Sequence, residues 1–350
     1  MKKLLLKIIL FLLSICFVLI FFLSTVGYET DKLNNFIENK AIEKNPSLNL
    51  SINKIKIKID VKKANIFLTT KKPSIKYGGI KIQINELKVY MNFSSLFKKE
   101  INLDRIIFDL EELKVEEMQE LAKNFKPSNF KSFVKNKIKN GTISTVIDLE
   151  INEDLNIEEY NVVGLVKGTN IDLINKISIK KTSFNFTLNK DLIILNSINC
   201  HINNIPITSG EIKIIFKDQI EINGYLQANI NTKKDNSIST ITNFYKNSIF
   251  DNNISLEGNF TNNFKIILDK TLDLKNYSYD LNGNIKKAEI IFKNSIKNKI
   301  LINNIDLLKI DNTNIQLNLA NKKNQLNLTG KYKINNNPLF MDFKIINDFN

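Results

Sequence analysis

Residues 279–285 read Tyr-Asp-Leu-Asn-Gly-Asn-Ile, with apolar residues at alternate positions and a Gly in the apolar phase. Such alternation is typical of a strand with one apolar and one solvated face, as antiparallel sheets have. A Gly on the apolar face lets the sheet bend. The same arrangement recurs as Ile220-x-Ile222-x-Gly224-x-Leu226, Ile254-x-Leu256-x-Gly258-x-Phe260 and Leu326-x-Leu328-x-Gly330-x-Tyr332, with a shorter copy at Val162-x-Gly164-x-Val166.

A second alternating segment lies nearer the N-terminus. Ile55, Ile57 and Ile59 alternate with Lys, and Ile80, Ile82 and Ile84 repeat the pattern. Leu87, Val89 and Met91 continue it after a shift of one residue, which predicts a β-bulge. Residues 101–110 predict a further strand. The predicted fold class is therefore mainly β, a long curved antiparallel sheet or β-groove.

The N-terminus predicts a membrane anchor. Residues 8–28 contain no charged residue, and about 20 apolar residues suffice to cross a bilayer. Lys2, Lys3 and Lys7 precede this run, so the positive-inside bias leaves the N-terminus in the cytoplasm and exports the rest. A cleaved signal peptide is the alternative, but its apolar run would be about 7–15 residues long with a small-x-small site. We expect a retained single-pass anchor in the inner membrane, with the bulk of the chain in the periplasm.

Helical spacing interrupts the strands in three places. Residues 31–44 predict an amphipathic helix that lies near the membrane surface or covers the end of a sheet. Residues 111–141 predict a helical hairpin ended by Asn140-Gly141, and residues 237–250 predict one more helix. The predicted organisation is 1–7 cytoplasmic, 8–28 transmembrane, 29–46 amphipathic helix, 47–110 first β segment, 111–141 helical hairpin and 142–350 β-groove segment. The strand pattern still running at Asn350 indicates a truncated product or an open last edge.

The composition favours a folded, basic protein without catalytic chemistry. Apolar residues make up 43% of the 350 residues, and the formal net charge is +14. A basic surface suits anionic lipid headgroups or nucleic acid, and export argues against nucleic acid. Cys16 lies inside the apolar membrane run, and Cys200 is far from it in the sequence. We therefore predict no disulfide between them. His201 follows Cys200, but strand neighbours point to opposite faces, so we predict neither a metal site nor a nucleophile.

The acidic cluster before and within the first hairpin helix is interpreted as a solvated face whose early charges favour the helix dipole. It comprises Asp109, Glu111, Glu112, Glu116, Glu117 and Glu120. We therefore predict no enzyme activity, no cofactor and no metal.

In the order of its elements the chain resembles the AsmA-like superfamily, which includes AsmA, TamB and YhdP. The resemblance rests on the anchor, the Lys-Ile strands after Ser51, the segment Lys139-Asn140-Gly141-Thr142-Ile143 and the Gly-marked strands. It implies an inner-membrane-anchored periplasmic protein with an apolar β-groove, implicated in phospholipid movement to the outer membrane. This chain is much shorter than the large members, so its groove is not expected to bridge an envelope alone.

Two functions are therefore expected. The first is an anchored β-groove that binds or conducts phospholipid or other acyl chains in envelope lipid homeostasis and outer-membrane biogenesis. The alternative is a structural β-sandwich that assembles with envelope protein partners around a closed, dry core. The candidate groove residues are Ile55, Ile57, Ile59, Ile80, Ile82, Ile84, Leu226, Leu256, Phe260, Leu281, Ile285 and Leu328, with Gly164, Gly224, Gly258, Gly283 and Gly330 at the points of curvature.

Overall fold

The computed structural model confirms a mainly β protein built of antiparallel strands. It describes residues 2–44, 46–62, 65–92, 103–123, 132, 135–152, 156–174, 177–232, 250–297, 304–321 and 324–349. The chain divides into two compact units. Unit 1 comprises Met1–Val134 and Thr142–Gly164, and unit 2 comprises Lys135–Gly141 and Leu165–Asn350.

Helix α1 (Lys2–Thr25) contains the 20-residue stretch Leu6–Thr25, which is long and apolar enough to cross a membrane and has no side chain buried against the protein. The helix ends three residues before the predicted limit at residue 28. The N–H groups of Val26 and Gly27 both donate to the Phe22 carbonyl oxygen, and Gly27 takes a φ of 78° that ends the helix. Residues from Tyr28 onward therefore join the sheet.

Strand β1 (Tyr28–Thr30) attaches α1 to unit 1 by pairing antiparallel with β3 (Ile55–Asp60). The Lys58 ammonium donates to the Thr25 carbonyl oxygen at 3.1 Å, at the end of α1. Lys56 lies 3.0 Å from the Glu29 carboxylate and lowers its pKa, chiefly by a hydrogen bond. The apolar helix is thus joined to the sheet by backbone pairing and not by a loose linker.

Helix α2 (Asn34–Lys44) covers part of the unit 1 sheet, which is one of the two positions predicted for it. A buried hydrophobic cluster lies beneath the helix. It is contacted by Ile37 and Ala41 of the helix and by Leu33 in the turn before it. The Asn34 amide donates to the carbonyl oxygens of Ile52 and Asn53 at 2.8 and 2.9 Å. The cluster consists of Leu50, Ile52, Ile55, Leu68, Ile75 and Ile84.

The remaining strands of unit 1 form one antiparallel ladder with a smaller one beside it. The main ladder runs β3, β4 (Asn65–Lys71), β6 (Ile80–Asn92), β7 (Leu103–Leu110) and β10 (Thr142–Ile151). The smaller one runs β2 (Leu48–Ser51), β5 (Ser74–Tyr77) and the start of β6. The predicted bulge is confirmed, because Ile84 pairs with Leu110 and Glu86 with Asp109, so Asn85 is the extra residue.

The first half of the predicted hairpin is helix α3 (Val115–Ala122), which follows the short strand β8 (Leu113–Lys114). Most of the second predicted helix lies outside the described residues. Residues 135–137 are helical and lead into β9 (Ile138–Lys139). Asn140 and Gly141 take φ values of 57° and 86°, which confirms the left-handed stop. The helix predicted at 237–250 also falls outside the described residues, except Phe250, which begins a strand.

Unit 2 is an antiparallel meander in which each strand from β12 to β20 pairs with the next. β11 (Ile157–Ile174) pairs with β9. The meander consists of β12 (Ile177–Asn189), β13 (Leu192–Ile202), β14 (Ile205–Phe216), β15 (Ile220–Asn231), β16 (Phe250–Leu268), β17 (Leu274–Ile296), β18 (Ile305–Ala320), β19 (Asn324–Ile334) and β20 (Met341–Phe349).

The repeated Gly residues of unit 2 make room for side chains of neighbouring strands. Gly224 pairs with Phe264, whose ring tip would lie 2.6 Å from a Cβ at residue 224. Gly283 pairs with Phe260, whose ring occupies the space that a Cβ at residue 283 would need. Because an aromatic ring of the next strand covers each Gly, the missing Gly side chain leaves no gap in the packing. The Gly pattern therefore marks close packing as well as bending.

We predict that Gly283→Ala destabilises the protein by about 1–3 kcal/mol, the usual cost of overpacking. The added methyl group would overlap the Phe260 ring and lie 2.9 Å from the Asn259 carbonyl oxygen. Urea unfolding of the full chain in detergent, followed by circular dichroism, measures the change. The control is Asn282→Ala, an exposed neighbour on the other face, which should change stability by less than about 0.5 kcal/mol. Equal stability of the two variants would contradict the packing argument.

Candidate functional site

The candidate site is the apolar face of unit 2, meaning the side chains on the same side of β12–β20 as Leu226 and Leu281. Strand register aligns these side chains in rows across the sheet. Directly opposed residues of an antiparallel pair lie on the same face about 4.5–5.5 Å apart. Neighbouring side chains within a row are therefore close enough to touch. One row is Leu226, Asn262, Leu281, Leu317 and Leu326, and the next is Ala228, Phe260, Gly283, Ile315 and Leu328.

The structure brings together the candidate groove residues of unit 2. Leu226, Phe260, Leu281 and Leu328 lie in the two rows above. A third row contains Gly258 and Ile285, and a fourth contains Leu256. The sequence pattern missed the contribution of β18, which has no Gly but places Leu308, Ile310, Ile315, Leu317 and Leu319 on the same face by register. The available signal was alternation in two runs, residues 308–310 and 315–319, separated by a change of phase at the register shift between Asp311 and Asn314.

Most of this face is only half-buried. Leu281, Leu317 and Leu326 all keep part of their side-chain surface exposed. Among the described residues, a buried cluster closes one patch of the face, around Ile198, Cys200, Ile207 and Ala228. In the described part of unit 2, the main contacts of each strand from β12 onward are with its neighbours in the ladder. The large remainder of the apolar face therefore has no second layer of described structure over it.

The candidate residues of unit 1 have a different environment. Ile55 and Ile84 are 2% and 3% exposed and belong to the cluster under α2. Ile57 and Ile82 pack against that cluster. Ile59 pairs with Ile66 and Ile80 with Tyr77, and both remain partly exposed. Two of these six side chains are thus held in a closed core, and the open apolar surface of interest is in unit 2.

Bulges bend the sheet of unit 2 along several strands. Lys181, Ser197 and Asn312 have φ values of 52°, 54° and 47°, and each coincides with a shift or a break in the register of its strand. The residue after each one is buried: Thr182, Ile198 and Thr313. A bulge bends its strand and increases the local twist, so these positions add curvature beyond that of the Gly residues. No composition signal marks a left-handed Lys, and sequence reasoning missed them.

A cavity of about 340 Å³ opens on the apolar face near the β16–β17 turn. Its lining is almost entirely apolar. A pair of polar side chains adjoins it, since the Tyr279 hydroxyl donates to the Asn262 Oδ1 at 2.6 Å and burial raises the pKa of Tyr279. The residues that line the cavity are Phe264, Ile266, Leu274, Tyr277, Ser278 and Tyr279.

The opposite face of unit 2 is solvated and carries exposed ion pairs. Lys265 lies 2.7 Å from the Glu221 carboxylate, and Lys309 lies 2.8 Å from Glu289. The Lys265 hydrogen bond lowers the pKa of Glu221. Exposed pairs of this kind contribute little stability and keep the face soluble. The two faces therefore differ in chemistry across β15–β18, where these ion pairs lie.

Cys200 and His201 lie on opposite faces of β13. Cys200 pairs with Ile207 within the closed patch, and its thiol has a pKa raised to about 11 by burial. His201 pairs with Pro206. Among the described residues, no group of three or more His, Cys, Asp or Glu is arranged to hold a metal ion. In the acidic cluster, the Glu117 carboxylate accepts a hydrogen bond from the Lys114 N–H at the start of α3, which is a capping role.

We predict that Cys200 does not react with Ellman's reagent at pH 8 in the folded protein, because it is 3% exposed and its thiol stays protonated there. The measurement uses Cys16→Ser, which leaves one thiol, and should find one reactive thiol only after unfolding in guanidinium. The control carries Cys16→Ser, Cys200→Ala and Asn199→Cys, with its thiol exposed on the other face. Rapid labelling of native Cys200 would show that the patch is open.

Comparison of the chain with protein-family models, with curated proteins and with solved structures finds no match. The resemblance to the AsmA-like superfamily therefore stays a prediction.

Proposed function

We propose that this chain is a membrane-anchored protein that binds phospholipid acyl chains on the apolar face of unit 2. The observation that carries the proposal is the half-exposed state of that face over most of its rows. Monomeric soluble proteins rarely leave contiguous apolar surface of this extent uncovered, and such surface marks an interaction site. Acyl chains are the ligand that needs a long apolar surface and no specific chemistry.

The expected driving force is burial of methylene groups. Each methylene removed from water contributes about 0.8 kcal/mol, so about ten of them contribute about 8 kcal/mol before the costs of ordering the chain. This energy is non-directional, and it fits a face on which Leu, Ile and Phe predominate. A face of this kind can hold chains of different length without a fixed pose.

The apolar N-terminal helix supports a location at a membrane. Helix α1 is long and apolar enough to span a bilayer, and it is joined to the unit 1 sheet by the β1–β3 pairing. With Lys2, Lys3 and Lys7 on the cytoplasmic side, the proposed place of the remaining chain is the periplasmic side of the inner membrane. There the protein would take part in envelope lipid homeostasis and outer-membrane biogenesis, as the resemblance to the AsmA-like superfamily implies.

A structural role with envelope protein partners is the second candidate, and the closed core of unit 1 favours it. Leu50, Ile52 and Ile75 are 4–6% exposed beneath α2, as a dry interaction module requires. This candidate accounts for unit 1 and leaves the half-exposed face of unit 2 without an occupant.

We predict that Leu281→Asp together with Leu317→Asp removes bound phospholipid. The two residues are paired neighbours on the apolar face, and a carboxylate there would have to lose its hydration to contact a methylene chain. Native mass spectrometry of the full chain in mild detergent measures lipids per protein. The matched control is Asn282→Asp with Gln316→Asp, also a directly paired set but on the exposed face.

Both proteins keep α1, so lipid held by the anchor is equal in the two measurements. Circular dichroism and urea unfolding verify that both variants fold. Loss of lipid in the first variant alone supports the proposal. Wild-type protein that carries no more lipid than the folded Leu281→Asp, Leu317→Asp variant would refute it.

A further inference from the structure

The polar pair Asn262 and Tyr279 interrupts an otherwise apolar neighbourhood. Asn262 lies in the row between Leu226 and Leu281, and Tyr279 pairs with Phe264 on the adjacent row. The Asn262 Nδ2 donates to the Leu226 carbonyl oxygen at 3.1 Å, and its Oδ1 accepts from the Tyr279 hydroxyl at 2.6 Å. The amide is therefore held in one orientation by a backbone group on one strand and a hydroxyl on another.

The pair lies at one end of the 340 Å³ cavity. Tyr279 lines the cavity, and Asn262, which accepts its hydrogen bond, is two residues from the lining residue Phe264 on β16. A volume of about 340 Å³ lies at the lower end of the range of small-molecule sites, which is about 300–1,000 Å³. Leu274 is 57% exposed at the rim, so the cavity is open to a ligand from outside.

The fixed amide retains hydrogen-bonding capacity. A side-chain amide carries two N–H donors, and the contact with the Leu226 carbonyl oxygen uses one. The Tyr279 hydroxyl oxygen, which donates its proton to Asn262, still has lone pairs that accept. A ligand that places a carbonyl oxygen beside Asn262 and a hydrocarbon chain in the cavity satisfies both parts of the site.

We propose that this site binds the ester-linked acyl chain of a glycerophospholipid, with the chain in the cavity and its ester carbonyl oxygen accepting from the Asn262 amide. This inference rests on the proposed lipid-binding function and adds a point of recognition to it. A purely apolar face gives no reason for a half-buried Asn–Tyr pair, whose place two leucines or phenylalanines could fill. The pair instead fixes where along the face the polar end of the chain lies.

The experiment compares dioleoyl phosphatidylcholine with its diether analogue, which has the same headgroup and equally long chains but no ester carbonyl. The full chain in mild detergent receives both lipids in equal amounts, and native mass spectrometry separates the two complexes by mass. We expect wild-type protein to favour the diester by about three- to tenfold, the effect of one net hydrogen bond. Asn262→Leu should bring the ratio to about one without reducing binding of the diether.

Two further variants sharpen the result. Tyr279→Phe removes the donor that fixes the amide, and it should lower the preference for the diester even if Asn262→Leu folds poorly. Asn263→Leu, the neighbour exposed on the opposite face, is the matched control and should keep the wild-type ratio. Wild-type protein that binds both lipids equally would overturn this inference and leave the proposed function standing. Wild-type protein that binds neither lipid would overturn both.

Discussion

The structure depends on one constraint, which is that the apolar side of an antiparallel sheet has to be covered. Alternation along every strand collects the apolar side chains on one face, and that face is unfavourable in water. Unit 1 meets the constraint with its own chain, because α2 and the small β2–β5 ladder close over Ile55 and Ile84. In the described part of unit 2, a buried cluster forms around Ile198 and Cys200. No described residues cover the remaining rows, and for this reason the face is the candidate functional site.

Close packing within the sheet shapes that face. Phe260 and Phe264 lie over Gly283 and Gly224 of adjacent strands, so large rings fill the space that the missing side chains leave. Thr313 does the same over Gly330 beside a bulge. At the Gly positions no side chain projects from the sheet, and the neighbouring rings lie along its surface. The face therefore offers an extended apolar contact surface. Such a surface suits a flexible hydrocarbon chain, which contacts it along its length.

The sequence was sufficient for the fold class, because a period of two is a local signal that survives in every strand. It also located the Asn85 bulge, since a shift of one residue between Ile84 and Leu87 changes the apolar phase. It did not give the register between neighbouring strands. It therefore did not reveal the contact between Asn262 on β16 and Tyr279 on β17, which become neighbours only through pairing. The left-handed residues Lys181 and Ser197 were missed for a related reason: their conformation follows from the bulge and not from their own preferences. The end of α1 at Thr25 depends on Gly27, whereas hydropathy alone extends the run to Tyr28.

The energetics of acyl chains explain why a polar pair matters on an apolar face. A lipid in a bilayer already has its chains in hydrocarbon, so transfer to an apolar protein surface gains little from the hydrophobic effect, although both states are far better than water. An apolar face therefore lowers the barrier to removing a lipid from a membrane but does not by itself select one lipid or one position. Directional bonds provide selection, and the Asn262–Tyr279 pair is a fixed donor beside an apolar cavity. The Asn262 amide donates to the Leu226 carbonyl oxygen and accepts from the Tyr279 hydroxyl, so the protein itself holds the amide in one orientation. The proposed site would therefore combine weak burial of a chain with a defined position for its polar end.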